Sequence, residues 1–316
     1  MSAGIQSVVS FIKEASWGVA LTPTKSLPVK SGGGIEVKKN VKMQSAIKGQ
    51  LQKNYAQIAG LTTLDGSYTF DAFADYLGYF LLSALGTDTP ALKGGETIVY
   101  DHVFTETAPK TSLTVEQAQG ENVQRYAGTI CNELKFVGKV DEMLEVTANC
   151  VAKTYATATA ITPAFSTVPA FNWSQLAVKI GGASIGEVES FELNYKNGAE
   201  MVGSLNGVLT PSYTTIKSGS EVSGKLVMYL DATALTRFTN YLANTTEALE
   251  IIATGGSIGS ASTYKLDITV PVAVYTTGVT KITDDHNLLE VDFEGIYDVS
   301  TSKMIGVTLT NLVTAY

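Results

Sequence analysis

The chain has 316 residues, of which 45% are hydrophobic and 16% charged, with a formal net charge of −8 at pH 7. That length allows two domains, each with its own core. The acidic balance excludes a protein that grips nucleic acid by neutralising phosphates, two cysteines make no disulfide framework, and no apolar run is long enough for a spanning helix.

The first 34 residues read as an arm. MSAGIQSVVSFIKEASWG lacks the basic start and unbroken apolar segment of a secretory signal, so no membrane partner is expected. The arm carries Phe11, Ile12, Trp17 and Leu21, which should dock on the chain's own domain or on a neighbour. It ends in a Gly-rich hinge at residues 31–34, and no helix follows that could turn those glycines into a phosphate loop.

A first module is expected over residues 35–155. IEVKKNVKMQSAIKG should give a strand and part of a long polar hairpin, and LTTLDGSYTF a second strand. Asp71 then stands at the N-cap position of a helix whose apolar stripe is Phe73, Tyr76, Leu77, Phe80, Leu81 and Ala84, with Gly86 as its stop. YAGTICNELKF and MLEVTANCVAK form a hairpin. Pairing Leu134 with Val146 and Phe136 with Leu144 puts the apolar set on one face, with Cys150 on that face and Cys131 opposite. A cross-strand disulfide is therefore not expected.

Residues 156–171, rich in Ala, Thr and Pro, read as a linker, and residues 172–316 as a second module. In the second module Val188, Ser190 and Glu192 alternate with Phe191, Leu193 and Tyr195 before an Asn-Gly turn. Asp231 caps a second helix with the stripe Ala234, Leu235, Phe238, Tyr241 and Leu242, while Arg237, Asn240 and Asn244 face water. At an offset of 160 residues Asp71 matches Asp231, Ala72 Ala232, Ala74 Ala234 and Leu82 Leu242, so the same unit is read twice. The fold class is mainly β, a β-rich α+β chain of two tandem β-sandwich or partial-barrel modules, each flanked by one helix.

Chemistry is sparse. His102 and His286 stand outside any zinc pattern, and the turn at Asp284 reads as solvated. No GxSxG, Walker loop or dinucleotide fingerprint occurs, so no catalytic residue, metal or cofactor is expected. One pattern stands out: Glu133 with Lys135, Glu145 with Thr147, and Glu290 with Asp292 lie on the alternate faces of otherwise apolar strands. A sheet greasy towards its helix and hydrophilic on the other side lines water.

The WGVALTP entry, the strand before the single helix, the YAGTICNELKF…MLEVTANCVAK hairpin and the closing IGVTLTN strand resemble the tail tube proteins of long-tailed, siphovirus-type bacteriophages. The resemblance implies modules whose inner sheets merge into the barrel of stacked rings. With two modules per chain it implies a trimeric, pseudo-hexameric ring that conducts double-stranded DNA at ejection. It also implies tape-measure and tail-terminator proteins as partners, and residence in the virion tail after assembly in the host cytoplasm. The lumen face would then carry Glu133, Lys135, Glu145, Glu290 and Asp292. Two other readings remain open at this point: the tube of a contractile or secretion particle, and a monomeric adhesin-like carbohydrate-binding protein.

Overall fold

A computed structural model describes residues 7–30, 33–108, 110–282 and 285–316. The expected hinge at 31–34 and the turn at Asp284 fall partly outside them.

The first half supplies β1 (Val8–Lys13), β2 (Lys25–Leu27), β3 (Gly34–Ser45), β4 (Asn54–Asp71), α1 (Leu77–Leu85), β5 (Gly86–Leu92), β6 (Tyr100–Glu106), β7 (Leu113–Gln119), β8 (Asn122–Lys139), β9 (Glu145–Val151) and β10 (Thr154–Thr157). The second supplies β11 (Leu176–Ile180), β12 (Ala183–Ile185), β13 (Val188–Lys196), β14 (Ala199–Val202), β15 (Tyr213–Ile216), β16 (Glu221–Tyr229), α2 (Ala232–Leu242), β17 (Thr246–Ile258), β18 (Ser262–Ile282), β19 (Asn287–Gly295) and β20 (Gly306–Asn311).

One antiparallel run crosses the whole chain in the order β3-β4-β9-β8-β13-β16-β19-β18. Its strands keep a period of two: Val146, Ala148 and Cys150 are buried while Glu145, Thr147 and Asn149 alternate outward. The long strands β8 and β18 leave this run part-way and enter two further layers. The first half of β8 pairs with β7 and β10, and β1 and β2 extend from β7. The first half of β18 pairs with β17 and β20, continued by β11 and β12 on one side and by the β5–β6 hairpin on the other.

The core lies between these layers. α1 buries nearly its whole circumference: Phe80 sits 4.8 Å from the Phe70 ring and 5.2 Å from Phe11, and Ser83 Oγ accepts from Cys131 N at 3.0 Å. Its C-terminal end is closed by Gly86, at φ 115°, and by the buried Lys110 ammonium, which donates to Leu85 O at 3.0 Å. Removal of that ammonium from water lowers its pKa. α2 is the more exposed helix; Phe238 and Tyr241 pack over Gly278 of β18.

The structure corrects several expectations. Asp71 is not a cap: its backbone ends β4 opposite Glu145, its carboxylate lies 2.9 Å from Lys30 Nζ, and α1 starts only after Tyr76, which offers no capping side chain. Residues 72–73 are held as extended chain, Ala72 N donating to Leu144 O and Phe171 N to Ala72 O, and residues 74–76 make a turn, so no helix can begin at Asp71. Asp231 does cap α2, accepting from Ala234 N at 2.8 Å. Within α2 the expected stripe is narrower, since Leu235 and Leu242 are exposed, and Arg237 is buried against Glu247 instead of facing water.

The β8–β9 register is shifted by two residues, Leu134 facing Ala148 and Phe136 facing Val146, because the turn spans 140–144. A bulge between Cys131 and Glu133 then returns Cys131 to the buried face, directly opposite Cys150, with the free thiols 3.4 Å apart. The described part of the arm, residues 7–30, docks on the chain's own fold, one of the two expected outcomes: β1 pairs with β7, and Phe11 has no exposed surface. Residues 158–171 are tied down at points, Ser26 N donating to Ala164 O and Phe171 being buried, while Phe165 and most of the segment stay exposed.

Candidate functional site: a hydrophilic sheet face and two open edges

Residues that pair directly across antiparallel strands share a face. Glu145 faces Val137, which faces Glu192; Lys135 faces Thr147 and Asn194; Glu133 faces Asn149 and Lys196. Across the second half Glu192 faces Lys225, Lys225 faces Asp292, and Val227 faces Glu290. Glu133, Lys135, Glu145, Glu290 and Asp292 therefore stand on one continuous face, opposite the buried set that contains Leu134, Phe136, Val146, Leu289, Val291 and Phe293.

This face is laced by cross-strand ion pairs. Lys30 bridges Asp71 and Glu145 at 2.9 and 2.7 Å, Lys135 meets Glu192 at 2.7 Å, and Lys196 lies 3.8 Å from Glu133. Glu290 receives Lys225 at 2.7 Å and Lys281 at 2.6 Å, and these two hydrogen bonds hold its carboxyl below the usual range. Lys38 pairs with Asp65, and Asp292 accepts from Thr277 Oγ1 at 2.6 Å. Partly exposed pairs of this kind contribute about 0–1 kcal/mol each, so they shape the potential of the face more than its stability. Glu36, Glu221 and Glu294 add further carboxylates to the same face, which leaves acids in excess over lysines.

The two edges of this run differ from its interior. Val274 of β18 pairs with Thr246 of β17 on one side and Glu294 of β19 on the other, so β17 and β19 flank it. Beyond Val274, residues 275–282 keep β19 but lose β17, and among the described residues no strand replaces it. On β8 the situation is the same up to the last step. β7 flanks residues 122–129, and β13 then takes the edge over residues 133–139. At the far end of the run β3 pairs, among the described residues, with β4 alone. Unpaired strand edges are templates for another strand.

The β8–β13 joint is close. Gly138 admits it, because a Cβ there would collide with the Phe191 ring and come within 2.9 Å of Leu176 Cδ1. The sequence marks both strands but not their pairing. The signal present was the strict alternation of β13, whose buried Phe191, Leu193 and Tyr195 oppose polar Glu192, Asn194 and Lys196.

Other polar clusters are spent on structure. His102 is fully buried, with Nδ1 3.0 Å from Asp88 Oδ2 and Nε2 2.8 Å from Val313 O, and Tyr316 packs over its ring. Glu14 accepts from Gly18 N, Ser112 Oγ, Thr114 Oγ1 and Gly128 N. Among the described residues no group of three or more His, Cys, Asp or Glu side chains is placed to hold a metal ion. No described helix is long and apolar enough to cross a membrane.

A β-rich chain with an ion-laced face and open sheet edges is organised for association. The family model of the phage tail tube protein matches residues 4–295, and the chain belongs to that family. It is a structural subunit of a phage tail tube, a component of the virion tail that assembles with copies of itself. No curated protein matches the chain.

Proposed function

We propose that the chain is a two-module subunit, three copies of which close a pseudo-hexameric ring for the passage of double-stranded DNA. The halves are read as a tandem repeat: β3-β4-β9-β8 and β13-β16-β19-β18 follow the same order, each with a helix after its second strand. The β5–β6 hairpin is then an insertion in the first module.

The observation that carries the reading is the β8–β13 pairing. It joins module to module inside the chain, and the equivalent edge of β18 lies open while β3, the counterpart of β13, has an open edge of its own. Pairing β18 of one copy with β3 of the next repeats the internal joint between chains. Three copies bring about 24 strands at ~4.8 Å spacing, a circumference of roughly 115 Å and a diameter of roughly 37 Å before strand tilt.

The ion-laced face, bearing Glu133, Lys135, Glu145, Glu290 and Asp292, lines the bore. Duplex DNA carries one phosphate charge per ~1.7 Å of axis. A surface with excess carboxylates, its lysines already held by partners, gives those phosphates little to bind. Tape-measure and tail-terminator proteins meet the tube from within and at its end, and assembly takes place in the host cytoplasm before the tail is complete.

Native mass spectrometry of rings released from the purified protein tests the stoichiometry. Three chains per ring is the expected result; six chains per ring, or a monomer at every concentration, contradicts it.

A further inference from the structure

Cys131 and Cys150 are the only cysteines of the chain, and both are buried. Strict alternation would set their sulfurs on opposite faces of the β8–β9 hairpin. The bulge between Cys131 and Glu133 instead brings the two residues directly opposite each other, with the sulfurs 3.4 Å apart.

The backbone shows which kind of antiparallel pair this is. In a strand the N–H and C=O of one residue point to the same side. Cys131 N donates to Ser83 Oγ of α1 at 3.0 Å, and Cys131 O accepts from Asn197 Nδ2 at 2.8 Å. Both groups therefore point away from β9, and Cys131 with Cys150 makes a non-hydrogen-bonded pair. Such pairs hold their Cα atoms about 4.5 Å apart, with side chains closer than in the hydrogen-bonded kind. That separation lies inside the range of about 4.4–6.8 Å that a disulfide spans. Closing the bond takes the sulfurs from 3.4 Å to about 2.05 Å, a small change in the two side-chain torsions.

The pair lies where several elements meet. Asn197 Nδ2 also donates to Ala84 O of α1 at 2.7 Å, and Asn197 N donates to Asn132 O at 3.0 Å. Immediately beyond the bulge, residues 133–139 pair with β13. A bond between the two sulfurs would tie β8 to β9 at the point from which β8 enters that joint.

We infer that Cys131 and Cys150 form an oxidation site, a dithiol that a peroxide converts to an intrachain disulfide once the tail is outside a reducing cell. One sulfur attacks a peroxide oxygen and the O–O bond breaks, giving a sulfenic acid and water. The second sulfur attacks the sulfenic sulfur, the S–S bond forms, and the hydroxyl leaves with a proton as a second water. The two thiols give up two electrons and two protons, and the peroxide is reduced to water. With its neighbour at 3.4 Å, the sulfenic acid is intercepted before further oxidation. Burial excludes a bulky disulfide reagent, so the reaction is slow and proceeds through transient openings that admit a molecule little larger than water. Disulfides persist on virion surfaces, where no thiol pool reduces them. The bond closes a loop between residues 19 apart in the chain and fixes the bulge beside the β8–β13 joint.

The test uses the full chain, purified with reductant, freed of it and incubated with hydrogen peroxide. Remaining thiols are capped with N-ethylmaleimide in denaturant, and peptide mass spectrometry reads Cys131 and Cys150 alone, apart from any methionine oxidation. The expected result is one linked peptide pair lighter by two hydrogens, with no maleimide on either cysteine. Dithiothreitol should then open the bond and lower the melting temperature by about 4 °C or more, while leaving oxidised methionines as they are. Cys150→Ala, treated alike, should give no linked peptide within the chain and no such fall. Maleimide on both wild-type cysteines, after an exposure that fully links them in the urea-unfolded chain, would overturn the inference. So would oxygen added to either cysteine in place of the bond, a link between chains, or a linked chain whose melting temperature dithiothreitol does not change.

Discussion

Lys135 Nζ and the Glu192 carboxylate meet at 2.7 Å across the joint where β8 of the first half pairs with β13 of the second. The pair marks the joint but does not hold it. Both side chains are about 40% exposed, and such pairs contribute about 0–1 kcal/mol. Phe191, Leu193 and Tyr195 on the reverse of the same strand are buried, and burial of one large apolar side chain contributes about 1.5–3 kcal/mol.

Two substitutions should separate these contributions. Lys135→Ala should lower unfolding free energy by less than about 1 kcal/mol. Gly138→Val should cost about 1–3 kcal/mol or more, because the added carbons collide with Phe191. Urea titration followed by circular dichroism measures both; equal effects would show that the charge pair carries the joint.

Tyr316 fills the space left by Gly78, and its hydroxyl meets Asn311 Nδ2 at 2.5 Å and Asp75 O at 3.1 Å. Its ring lies between Tyr79 and His102. Tyr316→Ala should therefore cost about 3–5 kcal/mol, the range for emptying a buried aromatic site. A melting temperature unchanged from wild type would place this ring outside the core.

Stability should fall on the alkaline side. Burial raises the phenols of Tyr68, Tyr195, Tyr275 and Tyr316, while the hydrogen bond with the Cys131 sulfur, followed by burial, raises the Cys150 thiol. The unfolded chain then binds fewer protons than the folded one above the ordinary pKa of each group. The contribution is complete below about pH 8.5 and is lost from there upward, most steeply beyond about pH 10. Tyrosinate absorbance from these rings should appear together with loss of strand signal. Gradual titration of all the tyrosines in a protein that stays folded would contradict this.

Charge reversal of the bore should slow the genome. Glu133→Lys/Glu145→Lys/Glu290→Lys removes three carboxylates and sets added amines against Lys196, Lys30, Lys225 and Lys281. Particles carrying it should release DNA more slowly, with a lag that shrinks as salt rises. Glu→Gln at the same three positions should sit between it and wild type. Wild-type kinetics from the reversed bore would remove these residues from the lumen.

The period-two alternation in β8, β9 and β19 is legible in the sequence, and it sets all five charged residues opposite the apolar set, because a register error of two residues does not change the side a residue occupies. The Cys131 error came from the same rule. One bulge residue, which alternation cannot reveal, reversed the side of everything before it. Asp71 misled because a good capping residue is only available to a helix if the backbone turns there, and the pairing of Ala72 with Leu144 and Phe171 keeps it extended. The pairing of β8 with β13 was not legible, since nothing local distinguishes a strand edge that stays open from one that finds a partner far along the chain.

The most direct measurement is a high-resolution cryo-electron microscopy map of the assembled tube. The account predicts threefold ring symmetry, residues 275–282 of β18 paired antiparallel with β3 of the neighbouring copy, and Glu133, Glu145 and Glu290 facing the bore. Six copies per ring, or a β18 edge that meets no strand, would contradict it.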